Sequence, residues 1–346
     1  MRPDDLNERE RRVLEAVIQS FITTAEPAGS RTIAKRFGLG VSAATIRNTM
    51  SDLEDRGYLF HPHTSAGRIP TDRAYRVYVD SLMPPARLSA GDQGALVREL
   101  KGEHSAIEEI LRAAARVLGV LTQELGVAVA PALDGAILER LELVPMTADR
   151  LVMVLVIRGG MVRTIFVELK SALPSAAVAS VGQVLNERLG GLSLGEIRSS
   201  VRERLRDASS DAVESELLNI FVQEADNLFD LPSSGPDGLV LSSAQMLADQ
   251  PEFNSNEQMR ALLELTERRD VLREALRTRH GEAGITVTIG GENADPKLSN
   301  FTIVTAAYHS GALSGVIGVM GPTRMPYQKV LALVEHTSRL VGDLLH

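Results

Sequence analysis

Cysteine is absent from the 346 residues of this chain, and long hydrophobic runs are missing as well. Without a thiol the chain can form no disulfide, bind no metal through thiolate and use no cysteine nucleophile, which fits a reducing cytoplasm. The longest aliphatic stretch, residues 151–157, is far shorter than the roughly 20 residues of a membrane helix, so we interpret it as a buried strand. The first residues are charged and have no apolar run behind them, which predicts no secretory signal. We therefore expect a cytoplasmic protein without a membrane partner.

Positive charge is also scarce, since the net charge is −8, but its distribution is uneven. Residues 1–80 carry 12 Lys and Arg against 11 Asp and Glu, and within 27–76 the balance is eight to four. A small basic region on an acidic remainder favours local contact with phosphate and weak non-specific binding elsewhere. The proportions of apolar residues, 44%, and charged residues, 24%, are those of a globular protein. The length predicts two or three domains.

The first 80 residues have the pattern of a helix–turn–helix followed by a hairpin. Asn7 is placed to cap a first helix that carries an apolar stripe. Ser30 is expected to cap a short second helix, and Ser42 a third helix over about 43–56. Two short helices joined by a glycine-containing turn are typical of helix–turn–helix proteins. Short extended segments on either side of the polar loop 61–68 predict a small hairpin, or wing.

The third helix carries the residues best suited to reading DNA. Ile46, Met50 and Leu53 repeat at helical spacing and are expected to face the core. The opposite face then shows four candidates for base recognition: Ala44, Arg47, Asn48 and Ser51. Arg pairs with guanine, Asn with adenine, and an Ala methyl contacts the thymine methyl. An ordinary solvated helix face is the alternative, but the neighbouring helix, turn and wing favour DNA.

Phosphate contacts are expected from helix starts and from the wing, where small polar and basic residues are concentrated. The candidates are Ser30, Arg31, Ser42, Thr45, His63, Thr64, Ser65 and Arg68. Two histidines of the wing without a nearby carboxylate cluster are a weak ligand set, so we expect no metal.

Elsewhere the sequence offers little chemistry. Residues 290–293, Gly-Gly-Glu-Asn, follow a predicted strand without opening a helix, so they are not a dinucleotide-binding motif. Arg324 lies near the start of the last helix, where it could bind an anion, although a helix-entry turn is favoured. No catalytic triad or pair of carboxylates can be assigned from spacing, and we expect neither an enzyme nor a cofactor.

The rest of the chain mixes strands and helices. Strands are predicted at 137–143, 151–158, 162–168, 284–290, 301–309 and 313–320, and helices at 105–125, 174–188, 257–279 and 325–345. Because a mainly helical stretch, 191–258, separates two groups of strands, we expect one α/β domain with an insertion. Within it, the predicted helix 211–230 shows an apolar stripe: Val213, Leu217, Phe221, Ala225 and Leu228. We expect this stripe to form a dimer interface, with packing on the core of that α/β domain as the alternative.

Several sequence blocks resemble the HrcA family of heat-inducible transcription repressors. The N-terminal blocks are residues 26–59, EPAGSRTIAKRFGLGVSAATIRNTMSDLEDRGYL, and residues 62–80, which contain TSAGRIPTD. The C-terminal blocks are IGGEN at 289–293 and GVMGPTRMPY at 318–327. Their order and separation match the family over nearly the whole chain, and the middle, 90–280, is only loosely similar.

The resemblance implies an α+β multidomain protein. Its expected parts are a winged helix–turn–helix domain over 1–83, a linker over 84–104, a GAF-like α/β domain from 105–190 and 259–346, and a mainly helical dimerisation domain inserted at 191–258. It implies a homodimer that binds double-stranded operator DNA at the inverted repeat called CIRCE, upstream of chaperone operons, and leaves it on heat stress. It also implies that the chaperonin GroEL keeps the repressor active.

Two alternatives to this function stay open at the level of sequence. One is a metabolite-responsive winged-helix regulator that binds a small effector in its GAF-like domain, an analogy that rests on fold alone. The other is an enzyme with an accessory DNA-binding domain, which would need a phosphate-binding glycine loop or a catalytic constellation that we do not find.

Overall fold

The structure is a computed structural model that describes residues 6–62, 67–85, 87–102, 107–131, 135–147, 150–158, 161–169, 174–208, 211–229, 238–277, 279, 284–310 and 313–345. It contains helices and antiparallel sheets, which confirms the mixed α+β class. The chain forms two compact units. The first comprises 1–129, 239–308 and 316–341, and the second comprises 130–238, 309–315 and 342–346. Among the described helices, none combines the length and the hydropathy needed to span a membrane.

The N-terminal segment folds into helices and one short strand pair: α1 (Glu8–Thr24), α2 (Ser30–Phe37), α3 (Ala43–Asp55), β1 (Leu59–Phe60), β2 (Ile69–Pro70) and α4 (Asp72–Val77), which continues into a π-helical turn at Tyr78–Leu82. The predicted cap of α1 is confirmed, because Asn7 and Glu10 form a reciprocal capping box. The predicted cap of α2 was wrong. Gly29 holds the extended backbone of an N-cap, whereas Ser30 is already the first helical residue.

Beyond this segment the elements in chain order are α5 (Ala90–Leu100), α6 (Ile107–Thr122), β3 (Leu125–Val129), β4 (Leu138–Thr147), β5 (Arg150–Ile157), β6 (Met161–Glu168), α7 (Ser175–Leu189), α8 (Leu194–Arg204), α9 (Ala212–Gln223), α10 (Ala225–Phe229), β7 (Leu239–Leu241), α11 (Gln245–Ala248), α12 (Asn256–Glu267), α13 (Arg269–Arg277), β8 (Ile285–Ile289), β9 (Phe301–Ser310), β10 (Leu313–Pro322) and α14 (Tyr327–Leu344). The segment 84–104, expected as a linker, therefore contains the helix α5. Its cap is Ser89, whose hydroxyl accepts a hydrogen bond from the Asp92 backbone N–H at 3.1 Å.

The first unit is built on a five-stranded sheet in the order β7-β3-β10-β9-β8. Its apolar cluster includes Leu125, Val127 and Phe301, and helices α12 and α13 contribute further leucines. Helix α6 lies so close to β3 that a Cβ at Gly126 would approach the Ala115 carbonyl oxygen to 1.9 Å. Glycine is therefore the residue that this helix–strand contact requires.

The second unit is a three-stranded antiparallel sheet, β4-β5-β6, whose inner face packs against α7–α10. Most of the apolar stripe expected at a dimer interface lies in this core: Leu217, Phe221, Ala225 and Leu228 are buried in it, whereas Val213 is 37% exposed. The single helix predicted over 211–230 is also interrupted at Glu224. These four residues therefore pack on β4-β5-β6 of the same chain, strands that the sequence analysis assigned to the α/β domain, and not on a second copy.

Candidate nucleic-acid interface

Helix α3 is fixed to the N-terminal helices by its apolar side. Ile46, Met50 and Leu53 are buried, and Thr49 beside them donates its hydroxyl to the Thr45 carbonyl oxygen at 3.1 Å. At the end of the helix Gly57 has φ +74°, which allows the chain to turn into β1. The predicted inward face of α3 is thus confirmed.

The outward face of α3 presents the four residues expected to read bases. Ala44, Arg47, Asn48 and Ser51 are all exposed. Within the described part of the chain, the side chains of Arg47 and Asn48 make no hydrogen bond or ion pair. A guanidinium and an amide are therefore held side by side, solvated and available to a ligand.

The start of α3 is a capped helix end. The Ser42 hydroxyl accepts a hydrogen bond from the Thr45 backbone N–H at 3.1 Å, and the two hydroxyl oxygens are 3.0 Å apart. Both predicted phosphate ligands are thus engaged with each other. The N–H groups of the first turn leave a partial positive charge at this end, which favours an anion.

Helix α2 contributes a cationic surface that extends beyond the two residues predicted for it. Ser30 is half-buried at its start, and Arg31 is exposed. Lys35 and Arg36, which the sequence reasoning missed, are exposed on the same helix and line one shallow depression with Arg31. The i, i+4 spacing of Arg31 and Lys35 was the signal that could have found this surface.

The wing is anchored at its base. β1 and β2 pair antiparallel, as predicted, and Arg68 exchanges two backbone hydrogen bonds with Ala28, at 2.9 and 3.0 Å. Gly67 passes so close to Ala28 that an added Cβ would lie 2.4 Å from its carbonyl oxygen. The remaining predicted phosphate ligands of the wing, His63, Thr64 and Ser65, lie outside the described residues.

One carboxylate at the end of α3 holds two side chains of the wing. Glu54 pairs with Arg68 at 2.7 Å and with the imidazole of His61 at 2.8 Å. The Arg68 side chain is only 14% exposed, so it is less available to phosphate than its position in the wing suggested. Within the described part of the chain, no cluster of three or more His, Asp or Glu is arranged to hold a metal ion.

Comparison with known proteins gives the family and the fold. The profile of the family described as HrcA protein C terminal domain matches residues 108–331. A relative from Chlorobium phaeobacteroides (strain BS1) is 41% identical over 96% of both chains, and one from Chlorobaculum tepidum is 39% identical over 99% of this chain and 98% of its own. Both are named heat-inducible transcription repressor HrcA. A solved structure described as a hypothetical protein covers 99% of both chains with a TM-score of 0.62 at 23% identity, and so shares the fold.

Proposed function

Because this chain belongs to the HrcA family, we propose that it represses heat-shock genes by placing α3 in the major groove of double-stranded operator DNA. It is a heat-inducible transcription repressor and not an enzyme. The observation that carries the mechanism is the outward face of α3, where Arg47 and Asn48 are exposed beside each other. Such side chains on a second helix of a helix–turn–helix read base edges.

We further propose that residues 1–83 act as a winged helix–turn–helix domain. The three helices, the strand pair β1–β2 and the cationic surface of α2 support this. Ser30, Arg31, Ser42 and Thr45 are proposed to contact phosphate, along with the wing. Phosphate contacts fix the register of the protein on the duplex, whereas base contacts select the sequence.

The GAF-like domain, expected over 105–190 and 259–346, is proposed to be built on the sheet of the first unit and to exclude residues 130–190, which belong to the second unit. The protein is proposed to work in the cytoplasm. Its response is proposed to be governed by folding and assembly and not by a bound effector. Release on heating, the CIRCE repeat as operator and modulation by the chaperonin GroEL are proposals that rest on the family.

A homodimer is proposed to form through the outer face of the β4-β5-β6 sheet. Val144, Val152 and Phe166 lie opposite one another in register on that face. Its exposed apolar residues are Val144 (42% exposed), Met146 (62%), Val162 (55%) and Phe166 (68%). Exposed apolar patches of this kind mark interaction sites.

The occupant proposed for this face is a second copy of the chain. Arg140 and Glu142 share the face with the apolar residues and pair with each other at 2.6 Å, so together they present no net charge against a copy related by a two-fold axis. Phe166→Glu is expected to give a monomer in light scattering, and Val120→Glu, at an exposed apolar residue of α6, is the control. If the Phe166→Glu variant remained a dimer as stable as the wild type, the interface would lie elsewhere.

The proposed function is tested by selecting bound duplexes from a random DNA library. We expect an inverted repeat with a fixed spacer, because a two-fold dimer presents two α3 helices to two half-sites. Failure to enrich any sequence, with the protein folded, would contradict specific DNA binding. Enrichment only in the presence of a small metabolite would favour the effector-dependent alternative.

A further inference from the structure

The sequence block at 289–293, to which no chemistry could be assigned, contacts the start of α4. The Gly291 backbone N–H donates a hydrogen bond to the Asp72 carboxylate at 3.0 Å. The preceding Gly290 has φ +53°, and a Cβ there would lie 2.0 Å from an Asp72 carboxylate oxygen. The left-handed backbone favours glycine at this position, and any larger residue would also displace the Asp72 carboxylate.

Arg76, one turn further along α4, forms a two-pronged ion pair with the same block. Its Nε donates to Glu292 Oε1 at 2.8 Å and its Nη2 to Oε2 at 2.5 Å, and Nη2 also donates to the Val287 carbonyl oxygen at 2.7 Å. Burial raises the pKa of Glu292, but the hydrogen bonds from Arg76 and from the Ile289 N–H outweigh it, so that its pKa is lowered. Paired N–H donors of this kind fix orientation as well as distance.

The second C-terminal block, at 318–327, contacts the end of α1. Arg324 pairs with Glu252 and donates from Nη1 to the Ile22 carbonyl oxygen at 2.8 Å. A cation at the last turn of a helix complements its dipole. Beside it the buried rings of Tyr75 and Tyr327 lie 5.6 Å apart, which packs α4 against the start of α14.

We propose that three contacts, Asp72–Gly291, Arg76–Glu292 and Arg324–Ile22, are positioning contacts that narrow the range of half-site spacings at which the dimer binds. We call them the docking contacts. They hold α1 and α4, and α1 in turn packs against α3. With them in place, the direction of α3 is fixed relative to the sheet of the first unit. Without them, the DNA-binding segment would be held more loosely, through the chain and the packing of Tyr75 on Tyr327, and would tolerate more spacings.

This inference rests on the proposed function, and its test uses the inverted repeat found by the selection described above. Affinities are measured for duplexes whose spacer is lengthened or shortened one base pair at a time, and for an isolated half-site. The variants are Glu292→Arg, which sets two cations against each other, and the milder Glu292→Gln. Glu335→Gln is the matched control, because it breaks the exposed Arg339–Glu335 pair on α14.

The wild-type protein and Glu335→Gln are expected to show the same sharp optimum in spacer length. Both Glu292 variants should bind the half-site as tightly as the wild type does and lose roughly fivefold to tenfold at the optimal spacer, so that the profile flattens. If Glu292→Arg does not fold, as seen by circular dichroism, Glu292→Gln decides the outcome.

An equal loss of affinity at every spacer length would overturn the inference, because a merely structural role affects all duplexes alike. An unchanged spacer profile in folded Glu292→Gln would overturn it as well. A wild-type protein that prefers no inverted repeat would instead refute the proposed function. That failure is visible without any variant, so the two outcomes are distinguishable.

Discussion

At the scale of single residues, carboxylates determine which cations of the N-terminal segment are available to DNA. Glu54 holds Arg68, and Glu10 holds Arg56 at 3.0 Å. Arg47 carries no such partner within the described residues. A count of basic residues therefore overestimates the number of phosphate contacts, and the ion pairs give a better guide.

Arg68 is the residue at which sequence and structure give opposite expectations. A phosphate contact predicts that Arg68→Ala reduces the slope of log affinity against log salt by about one unit. Because Glu54 already holds this guanidinium, we expect an unchanged slope and a lower melting temperature. Lys35→Ala, on the exposed surface of α2, is the comparison and should lower the slope. A salt slope reduced by one unit in Arg68→Ala would show instead that Arg68 contacts phosphate.

Glu124 is a buried carboxyl group with a predictable pH dependence. Burial raises its pKa well above the ordinary value of 4.5, against the opposing effect of the Gln250 hydrogen bond. A folded-state pKa above the unfolded one gives stability that is present at low pH and lost as pH rises toward the folded pKa. Glu124→Gln should therefore remove this loss, and its melting temperature should exceed that of the wild type increasingly between pH 5 and 8. A difference independent of pH would show that Glu124 is not titrating.

At the scale of elements, the helices that could be predicted are those whose caps and apolar stripes lie close together in the sequence. The caps and apolar stripes of α1 and α3 lie within one stretch of sequence, so both helices and the outward face of α3 were predicted correctly. Strand β3 was missed because all five of its residues are buried, which removes the alternation typical of a half-exposed strand. Helix α5 was hidden by a composition typical of linkers.

The packing partners of these elements could not be predicted. Arg76 and Glu292 are 216 positions apart, and nothing local in either segment indicates the other. The stripe on α9 was correctly recognised as an apolar face, but its partner, the β4-β5-β6 sheet, is set by tertiary packing. Hydrophobic periodicity indicates which face of a helix is buried, but it does not indicate which element packs against that face.

The attachment of the wing is sensitive to substitution at Gly67. Gly67→Ala would bring a Cβ to 2.4 Å from the Ala28 backbone oxygen, so we expect a lower melting temperature and weaker operator binding. Gly94→Ala, in the middle of α5 with no atom within 4 Å of the added Cβ, is the control. It should stabilise the protein by roughly 0.5–1 kcal/mol, because alanine favours helix. Equal melting temperatures for both variants would show that the contact of the wing with Ala28 does not contribute to stability.

At the scale of the whole molecule, the proposed dimer couples DNA binding to folding. If only the dimer holds two half-sites, a modest fall in stability removes both the folded protomer and the binding species. Unfolding rates rise about threefold to sixfold per 10 °C, which gives a steep response to temperature without a dedicated sensor. The exposed apolar face of a freed protomer would then be open to aggregation or to capture by a chaperone.

Operator binding is therefore expected to fall in parallel with native dimer after mild heating. Light scattering and binding assays on the same heated samples compare the two quantities, and chaperonin with ATP should restore both. A heated protein that remained a folded dimer yet lost the operator, and regained it with a dialysable compound, would support the effector-dependent alternative.

The most direct test of the central claim, that α3 reads the operator sequence, is the ratio of affinities for the selected operator and for random duplex DNA. It is measured for Arg47→Ala, for Asn48→Ala and for Arg12→Ala, an exposed arginine of α1 that serves as the control. Each α3 variant is expected to lose about 1–3 kcal/mol on the operator and little on random DNA, and to relax specificity at one base pair. The control should keep the wild-type ratio. Equal weakening on both duplexes would contradict the claim and make these residues phosphate contacts.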